Sequence, residues 1–230
     1  IQTAQLNVKP YAEVNNSYGS FNTWKHTIKA GSGLLAAHFT VDARLSKISS
    51  DGYMDRATSD LKSYYISAGY YGKSTMLRFV NFSGKEKTYQ SWWGVPQDSL
   101  ATNRTYNYYT YDNETDNYQQ DHYQLLFSQE FSRAFRMNAA LHYTRGRGYY
   151  EQYRAGDAFA DYGLQDVIIS NDTITTSDFI RQQSLDNHFY GLTYSFEYNK
   201  GKRFSAILGG AANKYEGGHY GTVIWAQYAS

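Results

Sequence analysis

The chain reads Phe-Tyr-Gly-Leu-Thr-Tyr-Ser-Phe-Glu-Tyr from Phe189 to Tyr198. Every second residue from Tyr190 onward is aromatic or leucine, and the residues between them are Gly, Thr, Ser and Glu. A period of two places these two sets on opposite faces of an extended strand. The stretch therefore predicts a strand with one face in an apolar medium and the other in a polar one.

The same alternation recurs along the chain in segments of about ten residues that end in turn residues, which is typical of outer-membrane barrels. Nine antiparallel strands are predicted: Tyr11–Tyr18, Thr23–Gly31, Phe39–Ile48, Leu61–Tyr71, Met76–Lys85, Asp121–Glu130, a segment from near Arg136 to Thr144, Phe189–Tyr198 and Phe204–Tyr215. In Met76–Lys85 the alternation is poor, and no faces are assigned to it. The predicted fold class is all-β, an antiparallel transmembrane β-barrel.

The links between the predicted strands alternate in length from the second strand onward. The short links are Gly33–Ala37, Gly72–Ser74, Ser132–Phe135 and Asn199–Lys202, and the long polar ones are Ser49–Asp60, Tyr89–Gln120 and Arg145–Asn187. Outer-membrane barrels have short periplasmic turns and long extracellular loops. A soluble β-sandwich has no reason to sort its links in this way, so the alternation favours the barrel.

Composition excludes several other classes of protein. Mean hydropathy is −0.66, and no window holds the roughly 18 apolar residues of a membrane-spanning helix. The 22 Lys and Arg balance 21 Asp and Glu, so the chain lacks the basic field that nucleic-acid binding needs. Without cysteine there is no thiolate metal site or cysteine nucleophile, and no metal or other cofactor is predicted. The aromatic content of 18% suits the girdles at the two membrane interfaces.

Both chain ends lead us to expect a part of a larger polypeptide. Ile1–Leu6 has no signal-peptide pattern, and Tyr228–Ser230 is not an amphipathic closing strand. Nine is also an odd number, whereas bacterial single-chain barrels have even numbers of strands. We therefore expect residues 1–230 to form one partial barrel domain.

Four runs of sequence resemble TonB-dependent outer-membrane receptors, and in particular those of Bacteroidota-type bacteria. In the first run, Tyr18-Gly19-Ser20-Phe21-Asn22-Thr23 is similar to the first barrel turn of that family. The four runs are Lys9–Thr23, Ser83–Trp92, Asn117–Leu125 and Ala139–Glu151. They are similar to the subgroup, and none of them identifies a ligand.

The resemblance implies a receptor in the outer membrane of a Gram-negative bacterium, with a plug domain and a barrel of 22 strands. This chain would supply about nine of the strands, with the plug and the remaining strands absent. The receptor would contact outer-membrane lipid, import a bulky scarce nutrient without chemistry, and be opened by TonB acting through the missing plug. An iron-siderophore complex is the commonest ligand of the family. Haem, cobalamin or a glycan are the alternatives.

Candidate ligand-binding residues lie in two of the long predicted loops. Aromatic and arginine side chains at loop tips are typical of binding surfaces, because they bury a large area per residue. The candidates are Trp92, Trp93, Tyr106, Tyr108, Tyr109, Tyr111, Arg145, Arg147, Tyr149, Tyr150 and Tyr153. The alternative for these residues is an interfacial aromatic girdle with loop packing above it.

Two functions of other classes remain open from the sequence. An outer-membrane barrel hydrolase would use His122 and His142, which the pattern places on the polar faces of neighbouring strands. Asp121 and His122 point to opposite faces and cannot form a dyad with each other. A soluble glycan-binding β-protein would instead use the tyrosine-rich surface.

Overall fold

The computed structural model describes residues 6–201 and 204–229 and consists of strands with two single-turn 3₁₀ helices. The strands are β1 Tyr11–Gly19, β2 Thr23–Gly31, β3 Phe39–Ser50, β4 Ser59–Tyr71, β5 Thr75–Tyr89, β6 Thr115–Ser132, β7 Phe135–Ala158, β8 Val167–Ile169, β9 Asp172–Ile174, β10 Thr176–Lys200 and β11 Phe204–Ala226. The helical turns are Gln97–Ser99 and Phe159–Tyr162. No helix in the described ranges is long and apolar enough to cross a membrane.

Nine strands form one antiparallel sheet in the order β1-β2-β3-β4-β5-β6-β7-β10-β11. The short β8–β9 hairpin lies outside that sheet, in the connection between β7 and β10. Each of the nine predicted segments falls within one of the nine strands, and the all-β antiparallel fold class is confirmed.

The cross-strand register separates an apolar face from a polar one. One row joins Val41, Ala68, Phe79, Leu125, Leu141 and Leu192. The row beneath it on the opposite face joins Asp42, Ser67, Val80, Gln124, His142 and Gly191. The register also assigns faces to β5, placing Leu77 and Phe79 on the apolar face and Arg78 on the polar face.

The apolar face is open to its surroundings rather than packed against a second layer. Leu45 is 62% exposed, Leu141 51% and Ile66 45%. A continuous exposed apolar surface of this size is unusual for a soluble monomer, and it is what a lipid-facing sheet requires.

The connections sort to the two ends of the sheet, although the strands extend further into the long loops than predicted. The turn end carries connections 32–38, 72–74 and 133–134 and the link from β10 to β11, and the loop end carries the short connection 20–22 as well as 51–58, 90–114 and 159–175. The predicted loop Arg145–Asn187 is wrong in extent, because β7 continues to Ala158 and β10 begins at Thr176. Where both faces of a strand are wet, the alternation that marks a strand in the sequence is lost.

The described part of the chain has one small apolar core, at the loop end. Phe159 and Phe179 are 2% and 0% exposed and pack edge to face, with centroids 5.4 Å apart, beside Val167 of β8. This cluster fixes the β8–β9 hairpin to the upper part of β10.

Candidate functional site: an aromatic cleft at the loop end

A cleft of about 630 Å³ lies between connection 90–114 and the upper parts of β7 and β10. Its volume is in the range typical of small-molecule sites. Seven aromatic residues line it: Trp92, Trp93, Tyr108, Tyr109, Tyr111, Tyr150 and Tyr153. We refer to these residues and the charged groups among them as the aromatic cleft.

Five of the aromatic rings of the cleft contact one another in a connected set, and Tyr111 and Tyr153 form a separate pair. Trp92 packs edge to face on Tyr150, with ring centroids 5.2 Å apart, and on Tyr109 at 6.4 Å. Trp93 donates its Nε1–H to the Tyr109 hydroxyl at 3.0 Å and lies beside Tyr108. Trp92 and Trp93 nevertheless remain 54% and 62% exposed, so their faces are available to a ligand.

Polar contacts from a neighbouring connection hold connection 90–114 in place. Arg56, in connection 51–58, donates to the Tyr109 carbonyl at 2.6 and 3.0 Å and to the Asn107 carbonyl at 3.1 Å. The buried Asn107 amide donates in turn to the carbonyls of Asp55 and Gln90. The cleft wall is therefore anchored at several backbone positions.

Gln90 links the start of the same connection to two strands. Its buried side chain donates to the Thr115 carbonyl at 3.3 Å and to the Glu151 carbonyl at 3.0 Å. Since buried amides are costly to leave unpaired, these bonds define where the connection leaves the sheet.

The cleft contains two arginines in different electrostatic situations. Arg154 is paired with Asp157, with Nε to Oδ2 at 3.0 Å. Arg181 donates to the neutral Gln152 side chain at 3.0 Å, and within the described ranges no carboxylate lies within 4 Å of it. Its Nε atom is buried without a hydrogen-bond partner in the described chain. Arg181 thus forms no direct ion pair among the described residues, although the carboxylates of Glu114 and Asp157 also line the cleft.

A buried carboxylate, Glu151, joins connection 90–114 to β7 and β10. It accepts hydrogen bonds from the Tyr111 hydroxyl at 2.8 Å, the Asn113 amide at 2.6 Å and the Gln182 amide at 2.8 Å. Burial alone would raise the pKa of Glu151, but these hydrogen bonds outweigh burial and lower it. Burial and the bond to Glu151 raise the pKa of the Tyr111 hydroxyl to about 12.

A second carboxylate of the cleft, Glu114, is 2% exposed. Burial raises its pKa, although the backbone N–H of Tyr153 donates to it at 3.1 Å. The acidic run from Asp112 to Asn117 is therefore partly buried against β7.

Seven of the eleven candidate residues lie together in the aromatic cleft, and four do not. Tyr106 is in connection 90–114 but does not line the cleft. Arg145, Arg147 and Tyr149 are on strand β7 rather than at a loop tip, as are Tyr150 and Tyr153. The predicted loop position of these five residues is wrong, because β7 continues well past the membrane-spanning length.

Arg145 and Arg147 are occupied by carboxylates on the face of β7 that carries Leu141. Arg145 binds Asp186 with two hydrogen bonds, at 3.0 and 2.7 Å, and Arg147 lies 3.6 Å from Asp121. Tyr149 shares this face, opposite Asn117 and Ser184. These side chains are separate from the aromatic cleft.

Six charged or polar residues of the cleft were missed from the sequence. They are Thr110, Glu114, Gln152, Arg154, Asp157 and Arg181. Tyr150, Gln152 and Arg154 are spaced by two, which would have placed them on one face had β7 been extended past Thr144. Arg181 had no comparable signal, because its strand was predicted to begin only at Phe189.

His122 and His142 lie on the polar face, as predicted, but each contacts a different neutral partner. His122 stacks on Phe82 at 4.2 Å, and its Nδ1 is 3.0 Å from the Thr144 hydroxyl. The Nε2 atom of His142 is 3.0 Å from the Asn213 side-chain oxygen. No hydrogen bond in the described part of the chain joins either ring to a carboxylate, and no group of three or more metal-ligating side chains occurs there.

Two solved structures with a similar fold are the closed and open forms of the ferric-catecholate import receptor Fiu from E. coli K12. The closed form gives a TM-score of 0.71 at 11% identity over 94% of this chain, and the open form 0.67 at 10% identity over 93%. The fold of this chain therefore matches a part of the fold of these receptors. The chain spans about a third of the length of these receptors, at 33% and 35%. No family profile matches the sequence, and no curated protein matches it.

Proposed function

We propose that the chain is part of the barrel of an outer-membrane receptor that imports a bulky nutrient in a TonB-dependent manner. The observation that carries this proposal is the aromatic cleft, which lies at the loop end of a sheet whose apolar face suits lipid. In this proposal the loop end faces the cell exterior. The plug through which TonB acts, and the remaining strands, belong to other segments of the same polypeptide.

The ligand class that we propose is an anionic iron-siderophore complex of the catecholate type. Such a complex presents aromatic faces and negative charge, which the exposed rings of Trp92 and Trp93 and the unpaired charge of Arg181 would complement. The import of a ferric catecholate by the structurally similar receptor Fiu supports this choice over haem, cobalamin or a glycan.

Adjacent tyrosines on β7 provide a matched test of the site. Tyr150 lines the cleft and contacts Trp92, whereas Tyr149 lies on the opposite face. We expect Tyr150→Ala to weaken binding of a ferric catecholate to the full-length receptor by about 10-fold or more, as for a buried aromatic contact. Tyr149→Ala should leave the Kd within about twofold of wild type. Equal Kd values for the two variants would contradict the site.

Arg181→Gln separates ligand classes at the same site. It should weaken binding of the anionic ferric catecholate and leave binding of a neutral oligosaccharide unchanged, because only the former uses the positive charge. A receptor that binds the oligosaccharide, but not the ferric catecholate, would overturn the ligand class and retain the cleft.

A further inference from the structure

A row of basic side chains crosses the apolar face of the sheet near its loop end. The register places His26 opposite Lys47, Lys47 opposite Lys62, and Lys62 opposite Lys85. All four side chains are exposed. Like charges directly opposite each other on neighbouring strands are destabilising, so a bound anion would stabilise the row. We call Lys47, Lys62 and Lys85 the lysine row.

The described part of the chain supplies little of that negative charge. Lys62 has Asp60 at 3.4 Å on its own strand, and no carboxylate lies within 4 Å of Lys47 or Lys85 among the described residues. Further along the same face the arginines are neutralised internally, with Arg145 on Asp186 and Arg147 on Asp121. The uncompensated charge is therefore confined to β3, β4 and β5.

The lysine row borders a groove that is lined by apolar as well as polar side chains. The groove has a volume of about 440 Å³, and Ile28, Leu45 and Tyr64 line it next to the lysines. These three residues form the adjacent row on the same face, on the turn-end side. A partner that fits the groove must combine an anionic group with a hydrocarbon portion.

The height of the lysine row corresponds to the edge of a bilayer. Lys47, Lys62 and Lys85 lie eight, nine and ten residues along their strands from the turn-end residues Phe39, Tyr71 and Thr75. A tilted barrel strand spans the membrane in about 9–11 residues. The ammonium groups are therefore at the level of the outer-leaflet head groups, and the apolar part of the groove is at the level of the acyl chains.

We propose that this groove binds a phosphorylated glycolipid of the outer leaflet, lipid A, with its phosphates on the lysine row and an acyl chain along Ile28, Leu45 and Tyr64. The proposal rests on the outer-membrane location in the proposed function, but not on the aromatic cleft or its ligand. The apolar residues of the groove and its position at the edge of the bilayer favour a lipid phosphate over free phosphate, because free phosphate has no hydrocarbon portion to contact those apolar residues.

The test uses the full-length protein purified from outer membranes, delipidated in detergent and titrated with diphosphorylated lipid A. We expect the triple variant Lys47→Gln, Lys62→Gln, Lys85→Gln to bind about 100-fold more weakly, since each of the three lysines near an anionic surface contributes about fivefold. The control is Lys9→Gln, Lys25→Gln, Lys73→Gln, which removes the same charge from exposed lysines away from the row and should bind as wild type. Lys85→Arg preserves the charge and should also bind as wild type.

Three results would overturn the proposal: wild-type affinity in the triple variant, equal affinity for dephosphorylated lipid A, or full displacement of the lipid by millimolar inorganic phosphate. Failure of the proposed function is separately visible. If the protein does not fractionate with outer membranes, both the proposed function and the lipid proposal fail. If Tyr150→Ala leaves the binding of ferric catecholate unchanged, the aromatic cleft is refuted as the ligand site, but the result of the lipid titration still stands.

Discussion

Hydrogen bonds from a few polar side chains fix the wall of the aromatic cleft. The rings of the cleft cluster by themselves, but connection 90–114 keeps its position through hydrogen bonds to its backbone. Arg56 is central among these contacts, because three of its bonds reach the carbonyls of Asn107 and Tyr109 across more than 50 residues of sequence. A guanidinium can satisfy several carbonyls at once, which a lysine ammonium does less well.

Removal of Arg56 should therefore release the connection without unfolding the sheet. Arg56→Ala should weaken docking of the connection by about 0.5–1.5 kcal/mol, the usual net contribution of a hydrogen bond, because its bonds are exposed or half-buried. Limited proteolysis within 90–114 would report this as faster cleavage. Arg104→Ala is the control, since Arg104 bonds only the nearby Leu100 carbonyl and should leave the cleavage rate unchanged. Identical cleavage of the two variants would show that Arg56 is not an anchor.

Docking of the connection should also depend on pH at both extremes, through Glu151 and Tyr111. Glu151 lies sixteen residues along β7 from Phe135, beyond the membrane-spanning part. Its pKa is lowered in the folded state, so its stabilising contribution is present above the ordinary value of 4.5 and is lost as the pH falls through the folded value. The pKa of Tyr111 is raised to about 12, so its contribution is present below the ordinary value of 10.0 and is lost as the pH rises toward 12.

Tryptophan fluorescence of Trp92 and Trp93 measures this dependence in the full-length protein. We expect a docked plateau at neutral pH with transitions on the acid and alkaline sides. Glu151→Gln should remove the contribution of this carboxylate to the acid transition, while protonation of Asp157, whose pKa is also lowered, still contributes and protonation of Glu114, whose pKa is raised, opposes it. Tyr111→Phe should remove the hydroxyl contribution to the alkaline transition. Unchanged profiles in both variants would refute this assignment.

The individual strands show which parts of the fold could be predicted from the sequence. In the proposed receptor, one face of a strand inside the membrane meets lipid and the other meets water, so a strand such as β10 is visible from Phe189 to Tyr198 as a strict alternation. Above the membrane both faces are wet, and β7 from Arg145 to Ala158 carries no such pattern. The faces of β5 could be assigned only from its pairing with β4 and β6, because the apolar residues Val80 and Phe82 lie on the polar face and obscure the alternation. The aromatic residues of the cleft could be predicted from the sequence. Its two arginines could not, because they lie on the parts of β7 and β10 that show no alternation.

The assignment of faces can be tested on neighbouring positions of β7. Leu141 lies in the middle of the apolar row, and Ala140 points to the other face. Leu141→Arg in the full-length protein should lower the free energy of unfolding from bilayers by about 2–4 kcal/mol, the cost of a charge at the membrane midplane. Ala140→Arg, on the wet face, should change it far less. The reverse order would mean that the faces are interchanged.

The sheet taken together is open, with β1 and β11 each paired on one side only in the described structure. An unpaired strand edge in lipid leaves N–H and C=O groups that nothing around them can satisfy. In the proposed receptor, further strands of the same polypeptide must therefore cover both edges. The long β11, Phe204–Ala226, presents the larger of the two edges.

Hydrogen exchange along β11 tests this requirement directly. In the full-length protein in bilayers, the β11 amides that do not bond to β10 should exchange slowly, because a following strand accepts their hydrogen bonds. In a 230-residue polypeptide of this sequence alone, held in detergent, the same amides should exchange at least about 100-fold faster, whereas the amides bonded to β10 serve as the internal reference. Slow exchange at both sets of amides in the isolated polypeptide would mean that nine strands satisfy their own edges, and the need for additional strands would be refuted.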